Sequence, residues 1–455
     1  MFSPDEQTIV AQCTPRGIGA IALIRISGIN AFHVAQNISK LPANKSLLKV
    51  ASHTIHYGTL VDTQGNCIDK VLFFIMQAPA TFTGQDTVEI SCHNNQFIIE
   101  TIIAQAINAG ARLAQEGEFT KRAVLNGKID LLQAEAINEL IHAQTQLALK
   151  QSLEQLQGSF SYWLQTIEKE LMKALALCQA SFEFLDDEME FSSKILEIIT
   201  SLGHTVITLK KTFCQQQQIR QGIRIALIGS VNAGKSSLFN ALLNNDRAIV
   251  NAQAGTTRDT IEAGLFVEGN YWTLIDTAGI RSTEDTIEQE GITRSFKEAH
   301  KADIILLIYD STKELLPQEK AIYQQIKDQY SSKIICIYSK SDQTTLAKLP
   351  ENIIAVSSTT RLHLPILEHS IKNKINELFA RIESPFLLNQ RHHQALLSLE
   401  INLKEMELLF KQENVPYELL CIHLNDAIAI IAQLTGKSIT QASMDLIFKE
   451  FCIGK

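Results

Sequence analysis

Residues 229–236 read Gly-Ser-Val-Asn-Ala-Gly-Lys-Ser, and no other stretch constrains the chain as tightly. They fit the pattern G-x-x-x-x-G-K-[ST], whose glycines let the backbone curl until its N–H groups face phosphate oxygens. The pattern alone is short enough to arise by chance, so its context matters. Residues 223–228 (IRIALI) read as a strand, and the segment SSLFNALL after Lys235 reads as a helix. A strand feeding a helix through such a loop is a parallel-sheet unit with an anion site at the helix N-terminus. In that setting Lys235 neutralises the β and γ phosphates of a nucleotide, and the Ser236 hydroxyl binds Mg2+. Asn232, Ala233, Gly234 and Ser237 belong to the same cradle.

Three further segments fall where a nucleotide domain needs them. Asp276-Thr277-Ala278-Gly279 follows a second strand at residues 271–275, about 40 residues after the loop. Alone, D-x-x-G is a common turn. At this distance Asp276 is expected to hold Mg2+ through water, and the Gly279 N–H to sense the γ-phosphate. Between them lies the segment AGTTRD at residues 254–259, where Thr257 is the candidate to reach the metal and the γ-phosphate. Residues 339–342 (SKSD) follow a strand at residues 334–338. A carboxylate at Asp342 accepts from guanine N1–H and the exocyclic amine, which adenine cannot offer together. The motif usually begins with Asn; Ser339 stands there, followed by Lys340, and its shorter side chain weakens the case for strong guanine selection. Ser357, Ser358 and Thr359 are placed to buttress the base, although Ser/Thr clusters are more often plain turns. Many GTPases place a water-orienting Gln just after D-x-x-G. Here that position is Ile280, so either hydrolysis is very slow or another group acts; Glu284, Asp285, Glu288 or Glu290 could orient the water, although for any single one a solvated acidic loop is the commoner explanation.

Around this segment the texture changes twice. Residues 20–26 and 71–76 read as strands and residues 100–109 as a helix, so the first 120 residues suggest an α+β domain. From residue 121 to 215 apolar residues recur at helical spacing with few Gly or Pro. Strand and helix then alternate over residues 216–380, the signature of a parallel sheet covered on both faces. Residues 381–455 are helical again and are expected to pack on the first helical block, with the nucleotide domain inserted between them; the alternative is that the two helical blocks are separate domains. The 455 residues, 45% of them hydrophobic, suit a multidomain globular chain. A net charge of −8 does not suit a chain that grips nucleic acid on its own. Eight cysteines without a C-x-x-C pair, a polar start and no apolar run of about 18 residues point to a reducing compartment, the cytoplasm, and to no membrane.

The combination resembles the MnmE (TrmE) family of tRNA-modification GTPases along nearly its whole length. The loop VNAGKSSL and the segment AGTTRD are similar to that family. More specific are TIVAQ at residues 8–12, LIRISG at 23–28, FTGQD at 82–86, GEFTKRA at 117–123 and the final Cys452-Ile-Gly-Lys455. The resemblance implies a homodimer, formed through an N-terminal domain that also binds a tetrahydrofolate (5-formyl or 5,10-methylene) as one-carbon donor. It implies work with an FAD-containing partner, MnmG, on the C5 position of the wobble uridine of tRNA. The product would carry an aminomethyl-type group. GTP hydrolysis would drive association of the two nucleotide domains, promoted by K+.

Carried residue by residue, the resemblance places folate on Arg25, Glu89, Lys128 and Lys455. Arginine and lysines suit the glutamate carboxylates of folate, and Glu89 suits the donor edge of a pterin. It places K+ on Asn232, Asn251, Gln253 and Thr256, and extends the GTP contacts over Asn251, Ala252, Gln253, Ala254, Gly255, Thr256 and Thr257. The family more often has Thr where Asn251 stands and Pro where Val231 stands. Glu288 matches the family's catalytic glutamate, which answers the question left by Ile280. A GTPase switch in ribosome assembly would explain the nucleotide motifs equally well, but not Arg25, Glu89 and Lys455.

Overall fold

The computed structural model describes residues 7–181, 188–213, 220, 222–243, 261–267, 270–277, 296–343, 353–380, 384–412 and 414–454. The chain divides into two compact units. One comprises Met1–Asn138, Glu154–Gly203 and Gln394–Lys455; the other comprises Glu139–Leu153 and His204–His393.

The first unit opens with strands β1 (Ile9–Gln12), β2 (Ile21–Ser27), β3 (Ser39–Lys40), β4 (Thr54–Val61), β5 (Cys67–Met76), β6 (Thr87–His93) and β7 (Arg112–Leu113). They form one sheet in the order β3-β4-β5-β6-β2-β1-β7, antiparallel except for the β1–β7 pair. Alternation along each strand decides the faces. Ile24, Ile26, Phe73, Ile75, Val88 and Ile90 are buried with Val34 of helix α1 (Ala31–Asn37) and with Ile99 and Ile102 of α2 (Gln96–Asn108). Arg25 lies between Ile24 and Ile26 and so belongs to the opposite face. There α3 (Glu118–Leu125) sets Phe119 against Ile9 and Ala11. Helix α2 begins before the expected residue 100, because the Asn95 side chain accepts from the Phe97 N–H and caps it.

The helical texture resolves into α4 (Leu131–His142), α5 (Gln146–Leu156), α6 (Ser159–Ala180) and α7 (Glu188–Lys211). In the second unit, β8 (Ile223–Gly229), β9 (Ile261–Val267), β10 (Asn270–Asp276), β11 (Ile304–Asp310), β12 (Ile334–Ser339) and β13 (Ile353–Ala355) form a sheet in the order β13-β12-β11-β8-β10-β9. Every pair is parallel except β9 with β10. Helices α8 (Lys235–Leu243) and α10 (Leu364–Ala380) cover one face through Leu238, Leu242, Leu367 and Ile371. Helix α9 (Pro317–Tyr330) covers the other through Tyr323 and Ile326. With both faces buried, β11 reads as the unbroken apolar run IILLIY.

Helices α11 (Gln390–Leu409), α12 (Tyr417–Thr435) and α13 (Gln441–Phe448) complete the described chain. α12 buries Leu420, Leu424, Ala427, Ile431 and Leu434, a stripe at alternating spacings of four and three, and packs against α6. Among the described residues it is the one helix long and apolar enough to cross a membrane.

Candidate functional site

Strand order places the phosphate loop. After β8 the chain builds β9 and β10 on one side of it, then β11, β12 and β13 on the other. Ligands of open α/β sheets bind outside the carboxyl ends of the strands at such a reversal. The loop from Gly229 to Lys235 leaves β8 there and enters α8, whose first residue is Lys235. Asn232 has φ +61° and Gly234 φ +87°, the left-handed turns that curl the loop.

Lys235 is buried and donates to the Gly229 and Ser230 carbonyls, both at 2.6 Å, which holds the loop curled. Burial pulls its ammonium below the usual lysine range, and the nearby Asp276 carboxylate opposes that shift. Asp276 ends β10 beside Leu227 and is 1% exposed. The next residue, Thr277, donates its hydroxyl to the Leu227 carbonyl at 2.9 Å. Ser236 is exposed at the helix start. A serine hydroxyl and a carboxylate at the sheet end are the hard oxygen donors that Mg2+ takes. The lysine supplies the positive charge that phosphates require.

The base-side loop is tied to the phosphate loop. Ser339 is buried, and its hydroxyl reaches the Ala233 carbonyl at 2.6 Å and the Tyr309 carbonyl at 3.1 Å. Lys340 takes φ +55° and pairs with Asp310 at 2.6 Å. Burial alone would raise the Asp310 carboxyl, but bonds from Lys340 and Thr312 outweigh it and hold it below the usual carboxylate range. Asp342 is exposed. The Ser341 N–H donates to Val356 O at 3.2 Å, which brings the 357–359 loop beside it. There Ser357 is fully buried and receives the Thr360 N–H at 3.1 Å, Ser358 is half-buried, and Thr359 is exposed. Asn251, Ala252, Gln253, Ala254, Gly255, Thr256, Thr257, Ala278, Gly279 and Glu288 lie outside the described residues, and so does Lys455.

The second set of expected residues lies on the N-terminal sheet. Arg25 and Glu89 are cross-strand partners on β2 and β6, and their side chains form an ion pair at 2.7 Å. The Arg25 guanidinium sits 5.8 Å from the Phe82 ring centroid and 5.3 Å from that of Phe119. A cation and a carboxylate beside two aromatic rings suit a flat heterocycle with donor edges and a carboxylate tail. Lys128 is exposed, with its ammonium on the Pro79 carbonyl at 2.9 Å and its stem over Gly84. The motifs FTGQD and GEFTKRA meet each other here. Arg122 donates to Gln85 and to Glu118, both at 2.9 Å, and Glu118 also holds Arg112. Burial favours the neutral Glu118 carboxyl, yet bonds from Arg112, the Gln115 N–H and Arg122 hold it below the usual range. The tail comes alongside: Gly117 N–H donates to Cys452 O at 3.3 Å, and Gly454 abuts Gln12. Cys452 is an exposed free thiol.

Four contributors went unmarked in the sequence. Tyr323 and Asp310 support the phosphate and base loops from segments without a motif. Phe82 and Phe119 lay inside quoted motifs, but nothing in the linear order shows that both rings flank Arg25.

A mostly parallel sheet with a phosphate loop at its reversal point, an aspartate at the end of the neighbouring strand and a base-side loop tied across to it defines a P-loop GTPase. Residues 8–128 match the family of the GTP-binding protein TrmE N-terminus, and residues 131–452 match the MnmE helical domain. The chain belongs to the MnmE family of tRNA modification GTPases. The MnmE of Flavobacterium psychrophilum is 35% identical over 462 residues, covering 99% of each chain. That of Streptococcus gordonii is 37% identical over 472 residues, covering both chains in full. Among solved structures, Era in complex with MgGDPNP and nucleotides of 16S ribosomal RNA is 24% identical at a TM-score of 0.28, covering 33% of this chain and 56% of that one. The G domain of the T. maritima FeoB iron transporter is 24% identical at a TM-score of 0.25, covering 34% of this chain and 98% of that one.

Proposed function

We propose that GTP is bound and hydrolysed at the 229–236 loop, and that this cycle serves modification of the wobble uridine of tRNA at C5. In this reading Lys235 and Ser236 hold the phosphates and Mg2+, with Thr257 as a second metal ligand. Asn232, Asn251, Gln253 and Thr256 hold K+, Asp342 selects guanine, and Glu288 orients the attacking water. The N-terminal sheet binds a tetrahydrofolate one-carbon donor through Arg25, Glu89, Lys128 and Lys455. The chain acts as a homodimer in the cytoplasm, together with FAD-containing MnmG. Residues 1–120 form the folate-binding and dimerising domain. Residues 121–215 and 381–455 form the helical domain, and residues 216–380 form the nucleotide domain.

The observation that supports this reading over a ribosome-assembly switch is the Arg25–Glu89 pair, whose guanidinium lies over both the Phe82 and the Phe119 rings. A switch that only binds ribosomal RNA has no use for a cation and a carboxylate flanked by two rings. The test is titration of the nucleotide-free protein with 5-formyltetrahydrofolate, alongside mass spectrometry of tRNA from a strain lacking the protein. Saturable binding that Arg25→Ala abolishes, together with unmodified wobble uridine, is expected. Absence of folate binding, or normal tRNA in that strain, overturns it.

A further inference from the structure

The phosphate loop begins where β8 parts from β11. Ile308 of β11 is the Cα partner of Gly229, the last residue of β8. One residue on, the strands are joined by a side chain. The Tyr323 hydroxyl accepts from the Ser230 N–H at 2.7 Å and donates to the Ile308 carbonyl at 2.7 Å. A phenol from α9 therefore stands in the ladder at the point where strand becomes loop. Tyr323 is 5% exposed and packs edge-on to Tyr309 at 4.7 Å between centroids. Burial pushes its phenol up to about 12, so the hydroxyl keeps its proton for the Ile308 carbonyl at any working pH. The fit is close: a Cβ on Gly229 would lie 2.7 Å from Ile308 O and 3.2 Å from the Tyr323 oxygen.

The two peptide units at the loop's start are held from two sides. Lys235 takes the Gly229 and Ser230 carbonyls, and Tyr323 takes the Ser230 N–H. Lys235 has three N–H donors and spends two of them on these carbonyls, so turning toward phosphates weakens its hold on the start of the loop. The Tyr323 bonds involve the Ser230 N–H and the Ile308 carbonyl and not Lys235, so they do not depend on where that ammonium points.

We infer that Tyr323 is a positioning residue for the nucleotide site: it anchors the first peptide of the phosphate loop while Lys235 divides its donors between loop carbonyls and phosphate. This rests on the reading of residues 229–236 as the GTP site. Preorganisation lost from the free protein weakens GTP and GDP alike, because the shared β-phosphate is what the curled loop meets. Chemistry after binding is unchanged.

The variant is Tyr323→Phe in the full chain, which removes one oxygen and keeps the ring against Tyr309. Kd for fluorescent GTP and GDP analogues is expected to rise about tenfold for both, the scale of one lost buried hydrogen bond. KM is expected to rise with it and kcat to stay within twofold. Dissociation constants within twofold of wild type overturn the inference, whatever the melting temperature does. A wild-type protein that does not bind GTP overturns the reading of the loop instead. Should the variant not fold, hydrogen exchange on the wild-type chain decides. The Ser230 amide is expected to stay protected with and without GDP, and exchange at the rate of an open loop in the GDP complex overturns the inference.

Discussion

The Ser339 hydroxyl donates to the Ala233 carbonyl at 2.6 Å, so the loop that follows β12 is tied directly to the loop between β8 and α8. Ser339→Ala leaves the buried Ala233 and Tyr309 carbonyls without this donor, at a cost of about 1–3 kcal/mol. GTP and GDP affinities are expected to fall together, about fivefold to tenfold, in a fluorescence titration. A loss confined to one nucleotide would show that the tie does not set the loop.

With the Ser339 hydroxyl spent on the backbone, the proposed reading leaves guanine selection to Asp342. An Asp342→Asn change replaces an acceptor pair by one acceptor and one donor. The amide then faces guanine's exocyclic amine with a donor but suits xanthine, which has a carbonyl there. GTP affinity is expected to drop about a hundredfold or more, and XTP affinity to rise. Competition binding with GTP and XTP measures both, and unchanged preference would remove Asp342 from base recognition.

Much of this site is legible in the linear sequence because it is carried by backbone. Gly229, Gly234, Lys235 and Ser236 act at fixed spacing within one turn, so eight consecutive residues report their own geometry. The class of fold is legible too: β11 reads as an apolar run because both sheet faces are covered, and β2 alternates because only one face meets α1 and α2. Tyr323 is not legible. Its hydroxyl meets Ser230 across a sequence gap of 93 residues, and on α9 the pattern marks it only as an apolar-face residue. Phe82 and Phe119 are hidden for the same reason, since their relation to Arg25 exists only once β2 and α3 share a face. Helix α2 starts earlier than its apolar spacing suggests because the cap is polar: Asn95 adds a turn that hydrophobic periodicity does not register.

Ile280 has no hydrogen-bonding side chain at the position after Asp276-Thr-Ala-Gly279 where many GTPases carry a water-orienting Gln, which turns attention to the acidic residues that follow. If Glu288 orients the water, Glu288→Ala keeps GTP affinity within about threefold and lowers kcat by about a hundredfold or more. Steady-state hydrolysis beside nucleotide titration separates the two effects. The same assay run in K+ and in Na+ at equal ionic strength tests the cation. Faster turnover in K+ is expected, and equal rates would remove K+ from the mechanism.

Glu118 carries the acid sensitivity expected of the N-terminal sheet. Its carboxylate holds buried Arg122 and half-buried Arg112, and these bonds keep its folded-state pKa below the usual carboxylate value. The native state then binds fewer protons than the unfolded chain between that lowered pKa and about 4.3, the ordinary glutamate value. Stability from this group is complete above about 4.3 and is lost as pH falls through the folded pKa. Glu118→Gln leaves Arg122 buried without its countercharge, a loss of about 3 kcal/mol at neutral pH. Thermal melts from pH 3 to pH 7 should therefore show a variant well below wild type at pH 7, with the two curves converging in acid. Parallel curves across that range would show that the Glu118 charge does not hold this face together.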